Sequence, residues 1–454
     1  MAENLGIWAD DFMGRRASAD FLTKYLLAND HVRVLNVNSA WGAGKSFFLE
    51  RWAKELSSKH ICVYFNAWES DYSSEPLVAL MAVLEQQLTD SVSLGATAVG
   101  KRVIDVTSNL IKKGTPLIAR GLFMKFTGVN FNDLIGEGGG EAAGKLVEDL
   151  ISEQASAAGN VADFKAALRE RFSQARENQG KEAPVFIFID ELDRCRPTYA
   201  IELLERIKHF FDLEDCKFVV ASDSKQLAQS IKVVYGQGFE SGGYLRRFFD
   251  AEFSLDNRGL FQFVRSVLPA IESHLVGVNV EGKTHTYLSG SVERVVSVND
   301  STFHSKSLEY NENILITVAL CKIFRVELRE IINYVRQIKA ASDFLEGKVH
   351  FFCLAILIFA RAQGSEFYKS ILTDSDSLVL KERCPLGESF NFHMKTSLVT
   401  VNDLIIFHLR LLRGADLKFD EQTPPWKKGI YKGYEKIPLL KLYKPVVDLA
   451  HQLS

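Results

Sequence analysis

Cysteine is scarce and scattered. The six in the chain (Cys62, Cys195, Cys216, Cys321, Cys353 and Cys384) form no Cys-x-x-Cys pair and have no neighbouring histidine at zinc-ligand spacing. That excludes a zinc ribbon and a disulfide scaffold, and points to a reducing compartment. Long apolar runs are missing too: the longest stretch without Asp, Glu, Lys or Arg is residues 349–360, short of the roughly 18 to 20 residues a membrane span needs. Neither sign of charge dominates, with 54 Lys and Arg against 57 Asp and Glu. No chain-wide field would therefore draw in nucleic acid, and any such contact must come from a local patch. The opening stretch Met1 to Arg16 carries Glu3, Asp10 and Asp11 and no apolar core, so no export is expected and the cytoplasm is the expected location.

What is present is an ordinary globular composition, 47% hydrophobic and 24% charged over 454 residues, enough for about two to three domains with real cores. Up to residue 90 helical and extended patterns alternate: a helix near Ala17–Asn29, an apolar run Val32–Val37, a helix from Lys45, a run Ile61–Asn66 and a helix Pro76–Thr89. This is the cadence of a parallel α/β sheet. Residues 91–160 turn rich in Gly, Ala and Ser, including Gly138-Gly139-Gly140, and read as an insertion. The sheet pattern resumes at Val185–Asp190, Thr198–Phe211, Lys217–Ala221 and Ser224–Tyr235, the last stopping at Gly236. Past residue 260 helical periodicity takes over, as in Ile314–Ala341 and His350–Ala362. The expected organisation is a parallel-sheet α/β core over 1–260 and a mainly helical regulatory or partner-binding domain over 261–454, with no fixed-period repeat.

The chemistry is concentrated in two places. Directly after the run ending at Val37 comes Asn38-Ser39-Ala40-Trp41-Gly42-Ala43-Gly44-Lys45-Ser46, followed by a helix opening at Phe47. Strand, small-residue loop and helix in this order make a P-loop, or Walker A motif. Small residues let backbone N–H groups turn towards phosphates, the helix N-terminus favours negative charge, and Lys45 supplies a point charge. Ser46 is placed to ligate Mg²⁺. Nucleotide contacts are thus expected along Ser39, Ala40, Trp41, Gly42, Ala43, Gly44, Lys45, Ser46 and Phe47. One departure stands out: the first glycine of the G-x-x-x-x-G-K-[ST] pattern is Ser39 here.

The second place is Val185-Phe186-Ile187-Phe188-Ile189-Asp190-Glu191-Leu192-Asp193-Arg194, an apolar run ending in carboxylates, as a buried parallel Walker B strand would. Asp190 would hold Mg²⁺ through water opposite Ser46. Glu191 beside it is placed to orient and deprotonate the attacking water.

These residues resemble the KAP P-loop NTPases, a branch close to the STAND class of regulatory ATPases. The resemblance rests on Trp41 to Ser46, on Phe65-Asn66-Ala67-Trp68 and above all on Asp190-Glu191-Leu192-Asp193-Arg194-Cys195-Arg196-Pro197. It continues through Ala221-Ser222-Asp223, Tyr235-Gly236 and Tyr244-Leu245-Arg246-Arg247-Phe248, covering about residues 10 to 260. It implies ATP with Mg²⁺ as cofactors, Asp223 as a sensor of the γ-phosphate, and Arg246 or Arg247, at the start of a helix near Tyr244, as an arginine finger acting on a neighbouring subunit of a homo-oligomer. It also implies Arg15 near the base, with Arg329 as a candidate second sensor. Relatives in bacteria are often linked to phage exclusion and other defence systems. ATP is expected over GTP, since no Asn-Lys-x-Asp stretch occurs.

Asp190 lies 145 residues beyond Lys45, and this is where many KAP proteins carry a transmembrane hairpin. Here that hairpin is missing. Residues 101–125 instead hold six basic residues against one acid, interleaved with apolar ones, a segment suited to peripheral contact with the inner membrane surface or to an effector protein, though a solvated helix face is the plainer reading. Near the end, Pro424 to Lys436 mixes lysines with Trp426, Tyr431 and Tyr434. Nucleic-acid contact there is the less favoured reading, an exposed loop with anchoring aromatics the plainer one. Taken together the sequence reads as an ATP-hydrolysing regulatory NTPase of a phage-defence or exclusion system; the alternatives are a non-hydrolysing, ATP-switched interaction protein and a nucleic-acid-stimulated ATPase.

Overall fold

The computed structural model describes residues 6–90, 161–286, 294–297, 312–373 and 384–453, apart from short gaps at 74, 211–212, 256–258, 275, 277–278, 385–389, 395–396, 415–416 and 434–438. The insertion at 91–160 and its basic segment 101–125 lie outside the described residues. The chain divides into two units, one of Met1–Asp10, Arg15–Ala40 and Lys45–Leu255, the other of Asp11–Gly14, Trp41–Gly44 and Asp256–Ser454.

In the first unit β1 (Val34–Asn38), β2 (His60–Asn66), β3 (Glu182–Asp190), β4 (Cys216–Ser222) and β5 (Ala251–Ser254) form one sheet in the order β2-β3-β4-β1-β5. Every pairing is parallel. The sequence does not signal β5, which is short and has no fully buried residue. In β3, Val185, Ile187 and Ile189 enter one core while Phe186 and Phe188 enter the other. A strand with both faces covered reads as a continuous apolar run for this reason. Helices α1 (Arg15–Ala28) and α2 (Lys45–Leu56) cover the second face, where Trp52 meets Phe188 edge-on at 5.4 Å and donates from Nε1 to Thr23 at 2.8 Å. Helices α3 (Pro76–Asp90), α4 (161–179), α5 (Pro197–Phe210) and α6 (Ser224–Tyr235) cover the first. Burial of each such large side chain contributes about 1.5–3 kcal/mol.

Asn36 is one of the buried polar residues on these strands. Asn36, fully buried on β1, accepts from Ser222 Oγ of β4 at 2.8 Å and donates to Glu252 of β5 at 3.0 Å. A satisfied amide spanning both neighbours fixes the register of β1, because any slip would strand its hydrogen bonds in the core.

After the five-residue α7 (Ser241–Leu245) and β5 the chain passes into the second unit, whose first helix is α8 (Leu260–Val267). The helical stretch expected over Ile314–Ala341 is two helices, α9 (Glu312–Ile323) and α10 (Leu328–Leu345). Arg325 between them adopts φ 52°, and Glu327 and Glu330 form a reciprocal capping box that restarts the helix. Of residues 349–360, the stretch free of Asp, Glu, Lys and Arg, all but the first two belong to α11 (Phe351–Ala362), whose first ten positions are all buried. A helix apolar all round is explained here by burial in the hydrophobic core of the second unit. No helix among the described residues is long and apolar enough to cross a membrane. α12 (Ser365–Thr373), α13 (Val401–Leu412), α14 (Pro425–Gly433) and α15 (Leu439–Ala450) complete the helices. The structure adds an antiparallel sheet the periodicity does not announce: β6 (Asn279–Thr286), β7 (Arg294–Ser297), β8 (Phe390–Met394) and β9 (Ser397–Thr400), in the order β7-β6-β8-β9. Its strands come from distant segments, so no local hairpin signal covers the whole of it.

Candidate nucleotide site

The loop between β1 and α2 needs glycine at two positions, since Gly42 has φ 83° and Gly44 has φ 86°. Ser39, which stands in place of the first glycine, donates its backbone N–H to Ser222 O at 3.2 Å and so ties the loop's start to the end of β4. Lys45 is the first residue of α2 and is 8% exposed. Its Nζ donates to Ser39 O at 2.8 Å and Ala40 O at 3.3 Å, and lies 3.5 Å from Asp193 Oδ2. Ser46 donates from Oγ to Glu191 Oε1 at 3.3 Å.

The carboxylates opposite come from the end of β3. Because β4 lies between β1 and β3, Asp223 follows the strand that separates the loop from the carboxylates. Asp190 is buried and held at both oxygens: Oδ1 accepts from the Glu191 N–H at 2.8 Å, Oδ2 from the Tyr64 hydroxyl at 2.7 Å. Glu191 has a left-handed backbone (φ 61°), which turns the chain sharply out of the strand into a short 3-10 turn, Leu192–Arg194. Burial pushes the Glu191 carboxyl above the usual carboxylate range, against the pull of the Arg194 guanidinium; the Asp190 carboxylate adds to the rise. Asp193 accepts the Asp223 N–H at 3.0 Å. Asp223 itself caps α6, its carboxylate accepting from the N–H groups of Lys225 and Gln226.

The remaining sequence candidates fall elsewhere in this frame. Arg15 is buried at the start of α1. Arg246 and Arg247 are exposed, and they follow α7 at its C-terminal end, Arg246 being the capping residue. The helix expected to begin near Tyr244 begins at Ser241 because Glu240 caps it, accepting from the Gly243 N–H at 2.5 Å. Within the second unit Gly42 lies against the first turn of α10: a β-carbon at Gly42 would stand 3.3 Å from that of Glu327 and 3.4 Å from that of Arg329. Pro425–Gly433 is a helix rather than a loop, and Trp426 and Tyr431 pack against the core, Trp426 edge-on to Phe407 at 5.2 Å.

Three contributions carry no local signal in the sequence. Tyr64 sits on β2 and reaches Asp190 only because β2 pairs with β3. Asp193 meets Lys45 across 148 positions of sequence. Arg196 donates from its backbone and Nε to the Asp71 carboxylate, both at 2.9 Å, and so fastens the acidic segment to the loop after β2. Cys195, for all its place in that segment, is buried with its thiol pushed above the ordinary range by burial, which leaves it a packing residue.

The oxygens of Ser46, Asp190 and Glu191 suit a hard cation such as Mg²⁺, which would take its other ligands from phosphate and water. Among the described residues no group of three or more His, Cys, Asp or Glu side chains could hold a metal alone. Compared with protein families, the chain matches the KAP family P-loop domain over residues 15–343. Among curated proteins none matches.

Proposed function

Because the chain belongs to the KAP family of P-loop domains, we propose that it binds ATP with Mg²⁺ and hydrolyses it, and that turnover drives a regulatory conformational change. One observation carries this reading: Ser46 of the phosphate-binding loop and Glu191 at the end of a non-adjacent strand stand 3.3 Å apart. Loop amides and Lys45 would hold the phosphates, with Ser46 and Asp190 facing Mg²⁺, whose charge offsets that of the phosphate oxygens. Glu191, made more basic by burial, is the group to orient water and take its proton. Asp223 is the candidate γ-phosphate sensor and Arg329 the candidate second sensor. A place in phage defence is part of this reading, and loss of protection by a Glu191→Gln chain in infected cells would support it.

Steady-state ATPase activity of wild type and Glu191→Gln, with ATP binding measured in parallel, is the deciding experiment. Turnover that vanishes while binding persists is expected. A second reading, an ATP-bound switch with negligible turnover, draws on the ties of the Glu191 carboxylate to Ser46 and Arg194. Binding without turnover in wild type would favour it. Stimulation by DNA or RNA would instead indicate a nucleic-acid-dependent ATPase.

A further inference from the structure

The ammonium of Lys45 has three N–H donors, and three acceptors surround it: Ser39 O at 2.8 Å, Ala40 O at 3.3 Å and Asp193 Oδ2 at 3.5 Å. Both side chains of the ion pair are almost wholly removed from solvent, 8% exposed for Lys45 and 2% for Asp193. A phosphate can receive Lys45 only if one acceptor gives way. The two carbonyls belong to the loop that carries the lysine and are neutral. Asp193 is the most distant of the three, and as an anion it is the one a phosphate oxygen repels.

We infer that Asp193 is the resident counter-anion of the ligand-free site, which a nucleotide's phosphates displace from Lys45. This rests on the proposed nucleotide binding and goes beyond it by assigning Asp193 a positioning role. The ion pair gives a buried lysine a counter-charge and aims it along the loop while phosphate is absent, which avoids the large penalty of an uncompensated buried charge. It also lowers apparent affinity, because only the fraction of molecules with Lys45 released is ready to bind. Once displaced, the same Oδ2 still accepts the Asp223 N–H, so Asp193 keeps its place beside the end of β4.

The test is Asp193→Asn, which removes the charge yet retains an oxygen for the Asp223 N–H. Calorimetric titration should give a Kd for MgATP about tenfold lower than wild type, and a comparable gain for inorganic triphosphate but none for adenosine. A merely structural role would weaken binding or leave it alone. An unchanged or higher Kd in a folded variant overturns the inference while leaving the proposed function standing; failure of wild type to bind ATP overturns both. Should the variant not fold, a wild-type structure with a non-hydrolysable ATP analogue decides: Lys45 and Asp193 more than 4 Å apart is expected, and retention of the ion pair overturns the idea.

Discussion

The hydroxyl of Tyr64 donates to Oδ2 of Asp190 at 2.7 Å, while the backbone N–H of Glu191 donates to Oδ1 at 2.8 Å. Asp190 is therefore oriented from two strands at once, and its carboxylate plane is set before any ligand arrives. Tyr64 is itself held, its backbone N–H and carbonyl both bonded to the Gln87 side chain of α3. Burial and the neighbouring Asp190 carboxylate push the Tyr64 hydroxyl well above its ordinary range, so it stays a donor throughout the working pH range.

Tyr64→Phe keeps the ring and removes this donor. It should cost about 1.5–3 kcal/mol, the range for a hydrogen bond to a charged group. ATP turnover should fall roughly tenfold as Asp190 loses one of its two restraints. Denaturant titration and steady-state kinetics together check this; a variant matching wild type in both would show that the Glu191 N–H alone suffices to orient the carboxylate.

Lys45→Ala should abolish ATP binding or weaken it strongly, because the loop loses its principal mobile cation. It should also lower stability without any nucleotide, by about 3 kcal/mol, since Asp193 is then a buried carboxylate without its lysine. Asp193→Asn on the Lys45→Ala background should restore part of that loss, a coupling that a double-mutant cycle reads directly. Unchanged ATP affinity in Lys45→Ala would mean the loop has lost its phosphate-binding role.

Exposure at the C-terminal end of α7 leaves Arg246 and Arg247 able to serve a neighbouring subunit. If either acts in trans, Arg246→Ala with Arg247→Ala should leave ATP affinity near wild type and suppress turnover on the order of a thousandfold. Turnover should rise more than linearly with protein concentration, and mixing this variant with Glu191→Gln should recover activity at mixed interfaces. Wild-type turnover in the double variant would return both arginines to a solvated surface role.

Two histidines of the second unit make its stability depend on pH. His408 is fully buried, with Nδ1 2.7 Å from Leu404 O, and burial lowers its pKa to about 4; His350 is lowered to about 4 by burial and by the stacked ring of His274. Between pH 6.5 and 4 the unfolded chain binds these protons and the folded chain does not. Stability therefore rises with pH across that window and is lost as pH falls through it, by up to about 1.4 kcal/mol per pH unit for each group. His408→Phe should flatten the acid side of the stability profile by up to one proton. A denaturant midpoint measured at pH 7 and at pH 4.5 checks this, and an unchanged slope would sink the assignment.

What the sequence by itself determined was whatever neighbouring residues encode. Asn38 to Phe47 carry the turn glycines, the lysine and the hydroxyl of a phosphate-binding loop in one run, and Val185 to Ile189 announce a doubly buried strand by being apolar at every position. The family resemblance rests on local runs of this kind, Trp41 to Ser46, Phe65 to Trp68 and above all Asp190 to Pro197, and the match over residues 15–343 agrees with it. Tertiary structure decided what depends on strand order and long-range pairing. Insertion of β4 between β1 and β3 sets Asp223 between the two motifs, and pairing of β2 with β3 delivers Tyr64 to Asp190. The break between α9 and α10 was hidden because apolar periodicity continues through Phe324 and Val326, while the positive φ of Arg325 leaves no trace in composition. The contact of Lys45 with Asp193 was equally hidden. Hydrophobic periodicity reports which face of an element is buried, but a charge buried against another charge is visible only once the fold brings the two together.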